Sequence, residues 1–420
     1  MKKIFGNQLA IIVFTIFLDA LGFGILIPII PLLLADPTSN FYILGPDVSI
    51  QSGYILLGLI TAIFPLMQLF STSILGQLSD KFGRRLVLMY PLFGSALAYG
   101  LFAFGITTKN IPLLFFSRAL AGFTSGNLSV AQASIADITE PKDRAKNFGL
   151  IGAAFGLGFI VGPFLGGKLS DPQISSFFNP AFPFYFAASL SLINALFVKT
   201  IFRETNKFKN PHPNVDWVKS VTNIFKAFKL EHVRFLYLIN FLFFSGFTFF
   251  VTFISIFLIK KFNFSQGHIG DFFSFIGLWI VFTQIVITRK LASFMDEKTI
   301  LRITIIADGV FIGLMFFATQ VWMLYLLVAL VAICNGLTFA NISGLISRAA
   351  DSKIQGEILG INASIQALAQ LIPPILSGFI AAQFSAEAPM IVSAAIIIFS
   401  GFLFIAFYKP FKSPEHIENY

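Results

Sequence analysis

The chain has 420 residues, of which 56% are hydrophobic and 12% are charged, and its formal net charge is +9. Soluble proteins carry about 25% charged residues, so this composition excludes a soluble globular or disordered protein, and the single cysteine, Cys334, excludes an intrachain disulfide scaffold. The apolar residues suffice for about twelve membrane-spanning helices of roughly 20 residues each, which predicts a polytopic membrane protein.

Twelve apolar segments follow one another along the chain. The first resembles a signal peptide because Lys2 and Lys3 precede it, but it runs to Leu34 without a cleavage site and therefore predicts a retained helix. The predicted spans are residues 8–34, 52–75, 86–106, 110–136, 147–170, 182–200, 234–260, 267–288, 299–318, 321–348, 356–382 and 385–408. We therefore predict an all-α membrane protein of twelve transmembrane helices in two six-helix halves. The N-terminal half is residues 1–200, a cytoplasmic linker is 201–233, and the C-terminal half with its cytoplasmic tail is 234–420.

The positive charges lie mainly on one side of these spans. With the N-terminus in the cytoplasm, the tails and cytoplasmic loops hold 24 of the 29 lysines and arginines. The others are Lys109, Lys168, Lys260 and Lys261 on the far side and Arg118 within a span. Because positive residues are retained on the cytoplasmic side of a membrane, both termini are predicted to be cytoplasmic. The net charge thus indicates orientation and attraction to lipid headgroups, and nucleic acid is not an expected partner.

The linker contains apolar residues at helical spacing with lysines between them. This pattern predicts an amphipathic helix that lies on the inner membrane surface and tethers the two halves, with partner docking as the alternative. Its apolar residues are Trp217, Val218, Val221, Ile224, Phe225 and Phe228, and its lysines are Lys219, Lys226 and Lys229.

The two sets of spans also resemble each other in sequence. A constant offset of 211 residues aligns Pro163 with Pro374 and Gly167 with Gly378. Such a duplication is typical of transporters whose site lies between the repeats. Channels and membrane enzymes can be duplicated as well, so the repeat favours transport without establishing it.

Three charged residues lie well away from the ends of predicted spans. A lone charge in a membrane helix costs several kcal/mol, so Asp19 must face a cavity, take up a proton or form a pair. Arg118 is always charged and needs an anion or dipoles around it, and Asp308 lies in the inner portion of span 9. We interpret these residues as candidates for proton coupling or substrate binding. Structural pairing or helix packing explains each of them as well.

Neutral polar residues add candidates for the lining of a cavity, although interhelical hydrogen bonds explain such residues equally often. These candidates are Gln284, Asn362, Gln366 and Gln370. The sequence contains no catalytic set, no Walker-type phosphate loop and no histidines at metal-ligand spacing, so we expect neither enzymatic activity nor a metal or other cofactor.

The connection between spans 2 and 3 carries a dense polar motif. From its composition alone it is a charged turn, but the order of its residues resembles motif A of the major facilitator superfamily. Two glycine-containing stretches extend this resemblance: Arg118 to Gly122 is similar to motif B, and span 5 is similar to motif C, which is associated with antiporters. The motif A residues are Gly76, Asp80, Gly83, Arg84 and Arg85, and the motif C residues are Gly158, Gly162, Pro163, Gly166 and Gly167.

The resemblance covers nearly the whole chain and is strongest to the tetracycline efflux proteins of the drug:proton antiporter group, which Ile306 to Gly309 resembles in span 9. It implies proton-coupled export of a small amphipathic compound by alternating access, in a monomer of the bacterial inner membrane whose partners are protons, the substrate and membrane lipids. It also implies a gate in which Arg84 pairs with Asp137 and Asp80 contacts the start of span 11.

Two departures from the family pattern bear on the substrate. Ser293 stands in the second copy of motif A where Asp80 stands in the first, and span 3 lacks the buried acid expected of a tetracycline exporter. The alternatives are export of an endogenous metabolite or siderophore, uptake of a nutrient, and a sensor or assembly factor that retains the scaffold without transporting. Motif C argues against uptake.

Overall fold

A computed structural model describes residues 2–139, 144–206, 216–229, 233–291, 293–348 and 355–408, and every regular element within these ranges is helical. Eleven of these helices are long and apolar enough to cross a membrane. The α-helices are α1 (Lys2–Leu34), α2 (Ile50–Phe82), α3 (Arg84–Thr107), α4 (Ile111–Thr124), α5 (Asn127–Ile138), α6 (Arg144–Lys168), α7 (Phe182–Thr200), α8 (Lys219–Lys229), α9 (Arg234–Phe262), α10 (Gln266–Phe282), α11 (Thr288–Leu291), α12 (Glu297–Phe316), α13 (Val321–Arg348), α14 (Gln355–Gln383) and α15 (Ala388–Phe407), and a π-helical turn, Thr283–Ile287, joins α10 to α11.

Polar residues set the ends of several helices. Ser49 and Asn110 accept hydrogen bonds from backbone N–H groups three residues on, which caps the starts of α2 and α4. Ser265 and His268 form a reciprocal capping box at the start of α10. Asn263 adopts the left-handed conformation that ends α9. Local sequence therefore determines where these helices stop and start at the membrane boundary.

The predicted fourth span differs from the others because it is broken. Ser125 and Gly126 interrupt it and leave α4 and α5, each too short to count as a span alone. At the break, a Cβ atom on Gly126 would lie 2.6 Å from the hydroxyl of Ser71 and 2.8 Å from the backbone nitrogen of Thr72. The chain thus approaches the backbone of α2 at this point, which only glycine permits.

The prediction that Gly76 to Arg85 forms a loop is wrong. Helix α2 continues through Phe82, α3 begins at Arg84, and only Gly83 is non-helical, with a φ of +97°. Asp80 lies in the last turn of α2 and Arg84 begins α3, and their side chains form an ion pair of 2.7 Å across Gly83. The two helices therefore meet at a single residue.

Packing divides the bundle into two sets of helices. The helices α1–α7 contact mainly one another, as do α9–α15, and the most extensive contacts between the sets are α2 with α14 and α6 with α10. We call the end that carries the α2–α3 junction the basic end, and the other the opposite end.

The two sets meet closely at the opposite end. A Cβ atom on Gly58 would overlap the carbonyl oxygen of Pro374, and one on Gly167 would overlap that of Gln266. An ion pair of 2.8 Å between Lys168 and Asp271 joins α6 to α10 beside this contact. Glycines toward the basic end have no such neighbours, since Cβ atoms on Gly152 and Gly360 would meet nothing within 4 Å. The sets are therefore in close contact at the opposite end, and the other set does not cover these two glycines of the basic end.

We predict that Gly167→Ala destabilises the protein, because its Cβ atom meets backbone and not a flexible side chain. Overpacking of this kind costs about 1–3 kcal/mol. The control is Gly152→Ala on the same helix, whose Cβ atom enters open space. Thermal unfolding in detergent should show a lower midpoint for Gly167→Ala and an equal or higher midpoint for Gly152→Ala. Equal midpoints for the two variants would contradict the close approach of α6 and α10.

Candidate functional site

Asp19 lies at the middle of α1, flanked by the buried residues Leu18 and Ala20, and its own side chain is half-buried. The glycines of α6 position this segment. Cβ atoms on Gly158 and Gly162 would lie 2.6 Å from the Phe17 carbonyl oxygen and 2.7 Å from that of Leu21. The motif C glycines Gly158 and Gly162 therefore allow the backbone of α6 to lie directly against the part of α1 that carries Asp19.

Tyr99 of α3 interacts electrostatically with both Asp19 and Arg118, and the sequence had not indicated it. Its ring and hydroxyl occupy the space that a side chain at Gly22 would need, and the residue is 5% exposed. A glycine one helical turn after an intramembrane acid is the only signal that could have pointed to this tyrosine. The buried phenol is thus the group that both the acid of α1 and the guanidinium of α4 influence.

Arg118 is a buried cation without a full set of partners. Its side chain is 2% exposed, and its guanidinium carbon lies 4.5 Å from the centre of the Phe64 ring, a cation–π contact. Its Nε and Nη2 atoms make no hydrogen bond to the described residues. The fully buried amide of Asn127, just after the α4–α5 break, is unsatisfied in the same way at both of its polar atoms. Unpaired buried donors and acceptors of this kind are rare in folded proteins and suit a ligand or a second conformation.

Asp308 forms a separate polar centre in the second set of helices. It is 0% exposed on α12, and neither carboxylate oxygen makes a hydrogen bond to the described residues. Asn335 of α13 is the amide that faces it, and Cys334 lies close enough to interact electrostatically. No hydrogen bond or ion pair among the described residues joins Asp308 to Asp19 or Arg118, so the structure holds the two acids in different clusters.

The predicted cavity amides occupy varied positions. The Nδ2 atom of Asn240 donates a 2.7 Å hydrogen bond to the Oδ1 atom of Asn362, so Asn362 joins α9 to α14. Gln366 and Gln370 are half-buried on the next two turns of α14. Gln284 is exposed on the π-helical turn, an element that often marks a functional position.

The motif A residues form a polar network at the basic end. Arg84 is 7% exposed, and its Nε atom lies 3.1 Å from the Oδ2 atom of Asp137 on α5. Thr205 donates a 3.2 Å hydrogen bond to the same oxygen. Asp80 at the end of α2 forms an ion pair with Arg84 at the start of α3. The side chains at the start of α14, where a contact with Asp80 is expected, lie outside the described residues.

Glu204, which follows α7, completes this network and was missed by sequence reasoning. Its carboxylate accepts hydrogen bonds from the backbone N–H groups of Arg84 at 2.8 Å and Arg85 at 3.3 Å. An anion at a helix N-terminus is favoured by the unpaired N–H groups and the helix dipole. Glu204 is distant in sequence from α3, and only the fold brings the two together. Arg85 donates in turn to the carbonyl groups of Val198 and Lys199 at the end of α7.

The described residues contain no group of three His, Cys, Asp or Glu side chains that could hold a metal ion. The polar centres described above contain ion pairs, carboxyl groups and hydrogen-bond donors.

The chain resembles known transporters along most of its length. The model of the Major Facilitator Superfamily matches residues 12–319 and 236–419. The tetracycline resistance protein, class H, of Pasteurella multocida is 31% identical over 381 residues, which are 89% of this chain and 89% of that protein. The quinolone resistance protein NorA of Staphylococcus aureus is 26% identical over 383 residues, 89% of each chain.

A solved structure shares the fold at low sequence identity. The crystal structure of a D-xylose-proton symporter superposes with a TM-score of 0.77 at 14% identity, covering 96% of this chain and 98% of the other.

We predict that Gly83→Ala destabilises the α2–α3 junction. Its φ of +97° disfavours any L side chain, and its Cβ atom would overlap the Glu204 carboxylate. Backbone strain of this kind costs about 1–3 kcal/mol. Gly45→Ala is the control, because a Cβ atom there meets nothing within 4 Å. A thermal midpoint for Gly83→Ala equal to that of Gly45→Ala would refute the contact with Glu204.

Proposed function

The chain belongs to the major facilitator superfamily and is similar to the tetracycline efflux proteins, and we propose that it is a proton-coupled antiporter that exports a small amphipathic compound. The observation that carries the proposal is the cluster of Asp19, Tyr99 and Arg118. A titratable acid and a cation with unpaired donors lie together in a membrane helix bundle, where charged groups are costly and are retained mainly for transport or coupling.

The proposed arrangement has twelve transmembrane helices in two halves. Together α4 and α5 have the length of one span, with the Ser125–Gly126 break inside the bundle. The N-terminal half then comprises α1–α7, the linker contains α8, and the C-terminal half comprises α9–α15. The distribution of lysine and arginine supports cytoplasmic termini in a bacterial inner membrane.

In this orientation the less closely packed end of the bundle faces the cytoplasm, and in this proposal the halves open there. The contacts of α2 with α14 and of α6 with α10 then close the outer side, and Lys168 with Asp271 adds an ion pair there. Export requires the two halves to rock so that these contacts separate while the basic end closes. Substrate enters from the cytoplasm in the state described, and proton uptake from the outside in the other state favours its release.

Each polar centre has a proposed role in this cycle. Asp19 exchanges the proton, and Arg118 stabilises its ionised form through Tyr99 or directly when the helices move. Asp308 with Asn335 offers a second proton site or a contact for a cationic substrate. The network of Asp80, Arg84 and Asp137 holds the inner ends of α2 and α5 as one unit that closes the cytoplasmic side.

The polar amides of α14 and the π-helical turn supply neutral contacts to the substrate in this proposal. Gln366 and Gln370 lie on one side of α14, and Gln284 lies on the π-helical turn. The relatives are named for resistance to tetracycline and to quinolone, and both names point to efflux of amphipathic ring compounds. An endogenous metabolite remains the alternative cargo, which a panel containing both classes would distinguish.

Asp19→Asn tests the coupling role. We expect it to abolish substrate accumulation in inverted membrane vesicles energised with a proton gradient, because the amide cannot exchange a proton. Exchange of labelled substrate without a gradient should persist, since the polar shape is retained. Gradient-driven accumulation at the wild-type level would contradict the assignment, and loss of both activities would indicate a structural role for Asp19.

Tyr99→Phe tests the connection between the acid and the cation. The ring that fills the space beside Gly22 stays in place, but the hydroxyl that faces Asp19 and Arg118 is lost. Loss of one buried polar group that acts in transport lowers the rate by about tenfold. Gradient-driven transport should therefore fall by about this factor, with unchanged thermal stability. Tyr90→Phe on the same helix is the control, because Tyr90 is 66% exposed. Equal rates for the two variants would remove Tyr99 from the mechanism.

A further inference from the structure

Helix α8 is docked onto the bundle by one face. Ser220 and Ala227 are each 3% exposed, and the Ser220 hydroxyl lies 2.5 Å from that of Ser73 on α2. Just before the helix, Asp216 pairs with the side-chain amide of Gln77: its backbone N–H donates at 2.8 Å, and its carbonyl oxygen accepts at 3.1 Å. Helix α8 also contacts α9 and α14. It therefore lies at the basic end, beside the last turns of α2.

Large apolar side chains are exposed on α8 and on the turn that precedes it. Phe225 of α8 is 64% exposed, and Trp217 and Val218 of the preceding turn are 63% and 52% exposed. Apolar exposure on this scale beside a charged face is typical of a helix that lies at a membrane surface.

The adjoining side of the helix is basic. Lys219, Lys226 and Lys229 are exposed along it, and residues 217–229 contain no acid. Asp216, which precedes this stretch, accepts a 3.0 Å hydrogen bond from the backbone N–H of Val218 in the turn before the helix. The charge of this face is complementary to anionic lipid headgroups, each lysine contributing about fivefold to binding at such a surface.

We propose that α8 and the turn before it form a binding surface for anionic lipid headgroups, with Lys219 and Lys229 at the phosphates and Trp217, Val218 and Phe225 at the boundary of the acyl chains. The proposal rests on the transmembrane arrangement of the proposed function, which places the basic end at the cytoplasmic leaflet. Because the docked face of α8 is bonded to Ser73 and Gln77, lipid binding also anchors the inner end of α2, three residues before Asp80.

Fluorescence of Trp217 tests this surface in the full chain. The chain has three tryptophans, so Trp279→Phe with Trp322→Phe leaves Trp217 as the only emitter. This protein is placed in nanodiscs of brominated phosphatidylcholine, with or without about 30% phosphatidylglycerol, an anionic lipid. We expect stronger quenching by the brominated chains when the anionic lipid is present. Lys219→Gln with Lys229→Gln should weaken headgroup binding by about 25-fold and remove this increase.

The matched control is Lys290→Gln with Lys298→Gln, which removes two positive charges from the same end of the bundle outside α8. This variant should retain the increase in quenching. The proposal is overturned if quenching is equal in the two lipids, if the control variant loses the increase as fully as the α8 variant, or if Trp217 stays accessible to acrylamide in both lipids, as expected of a surface for a soluble partner. Quenching is measured without substrate or gradient, so a failure of transport would leave this result unaffected.

Discussion

The close approach of helix backbones at the opposite end is the constraint on which the rest of the structure depends. Within a bilayer the hydrophobic effect does not draw helices together, so they associate by close packing, which small residues allow. The Pro163 carbonyl oxygen lies 3.0 Å from the Cβ position of Gly270, and the Pro374 carbonyl oxygen fills that of Gly58. The two prolines are equivalent in the internal repeat, so one duplicated contact closes both sides of the opposite end.

The surrounding helices make the buried charges tolerable. Arg118 and Asp19 would be expensive against lipid, but Arg118 lies over the Phe64 ring of α2 and both residues interact electrostatically with Tyr99 of α3. The glycines of α6 contribute indirectly, because they let α6 pack on the backbone of α1 around Asp19. Asp308 lies in the other set of helices, where the amide of Asn335 faces it. In the proposed cycle each half therefore carries one acid whose surroundings change when the halves move.

Much of the fold followed from the sequence, because membrane spans depend on composition over long stretches and so average over local detail. The intramembrane charges were found for the same reason: a charge in an apolar stretch is conspicuous. Contacts between distant residues were not predictable. In the sequence, nothing distinguishes Tyr99 from other aromatic residues, and only the fold shows that its hydroxyl lies beside Gly22. Glu204 likewise lies in the predicted linker, and only the fold shows that it binds the start of α3. The predicted end of α2 was too early because the apolar stretch of the sequence ends at residue 75. The backbone of the helix continues through the polar residues that follow, as far as Phe82.

The two repeats differ in sequence at the basic end, where Ser293 stands at the position that Asp80 has in the first repeat. Around α2, Arg84 is bonded to Asp80, Asp137 and Ser79, Glu204 binds the start of α3, and α8 docks on Ser73 and Gln77. Among the described residues of the second repeat, Ser293 donates to the carbonyl group of Lys290. In the proposed cycle the duplicated glycine and proline contacts act as a hinge at the opposite end. The gate residues, the linker and the lipid surface proposed for α8 all lie around the inner end of α2, so in that cycle we expect the N-terminal half to set the movement at the basic end.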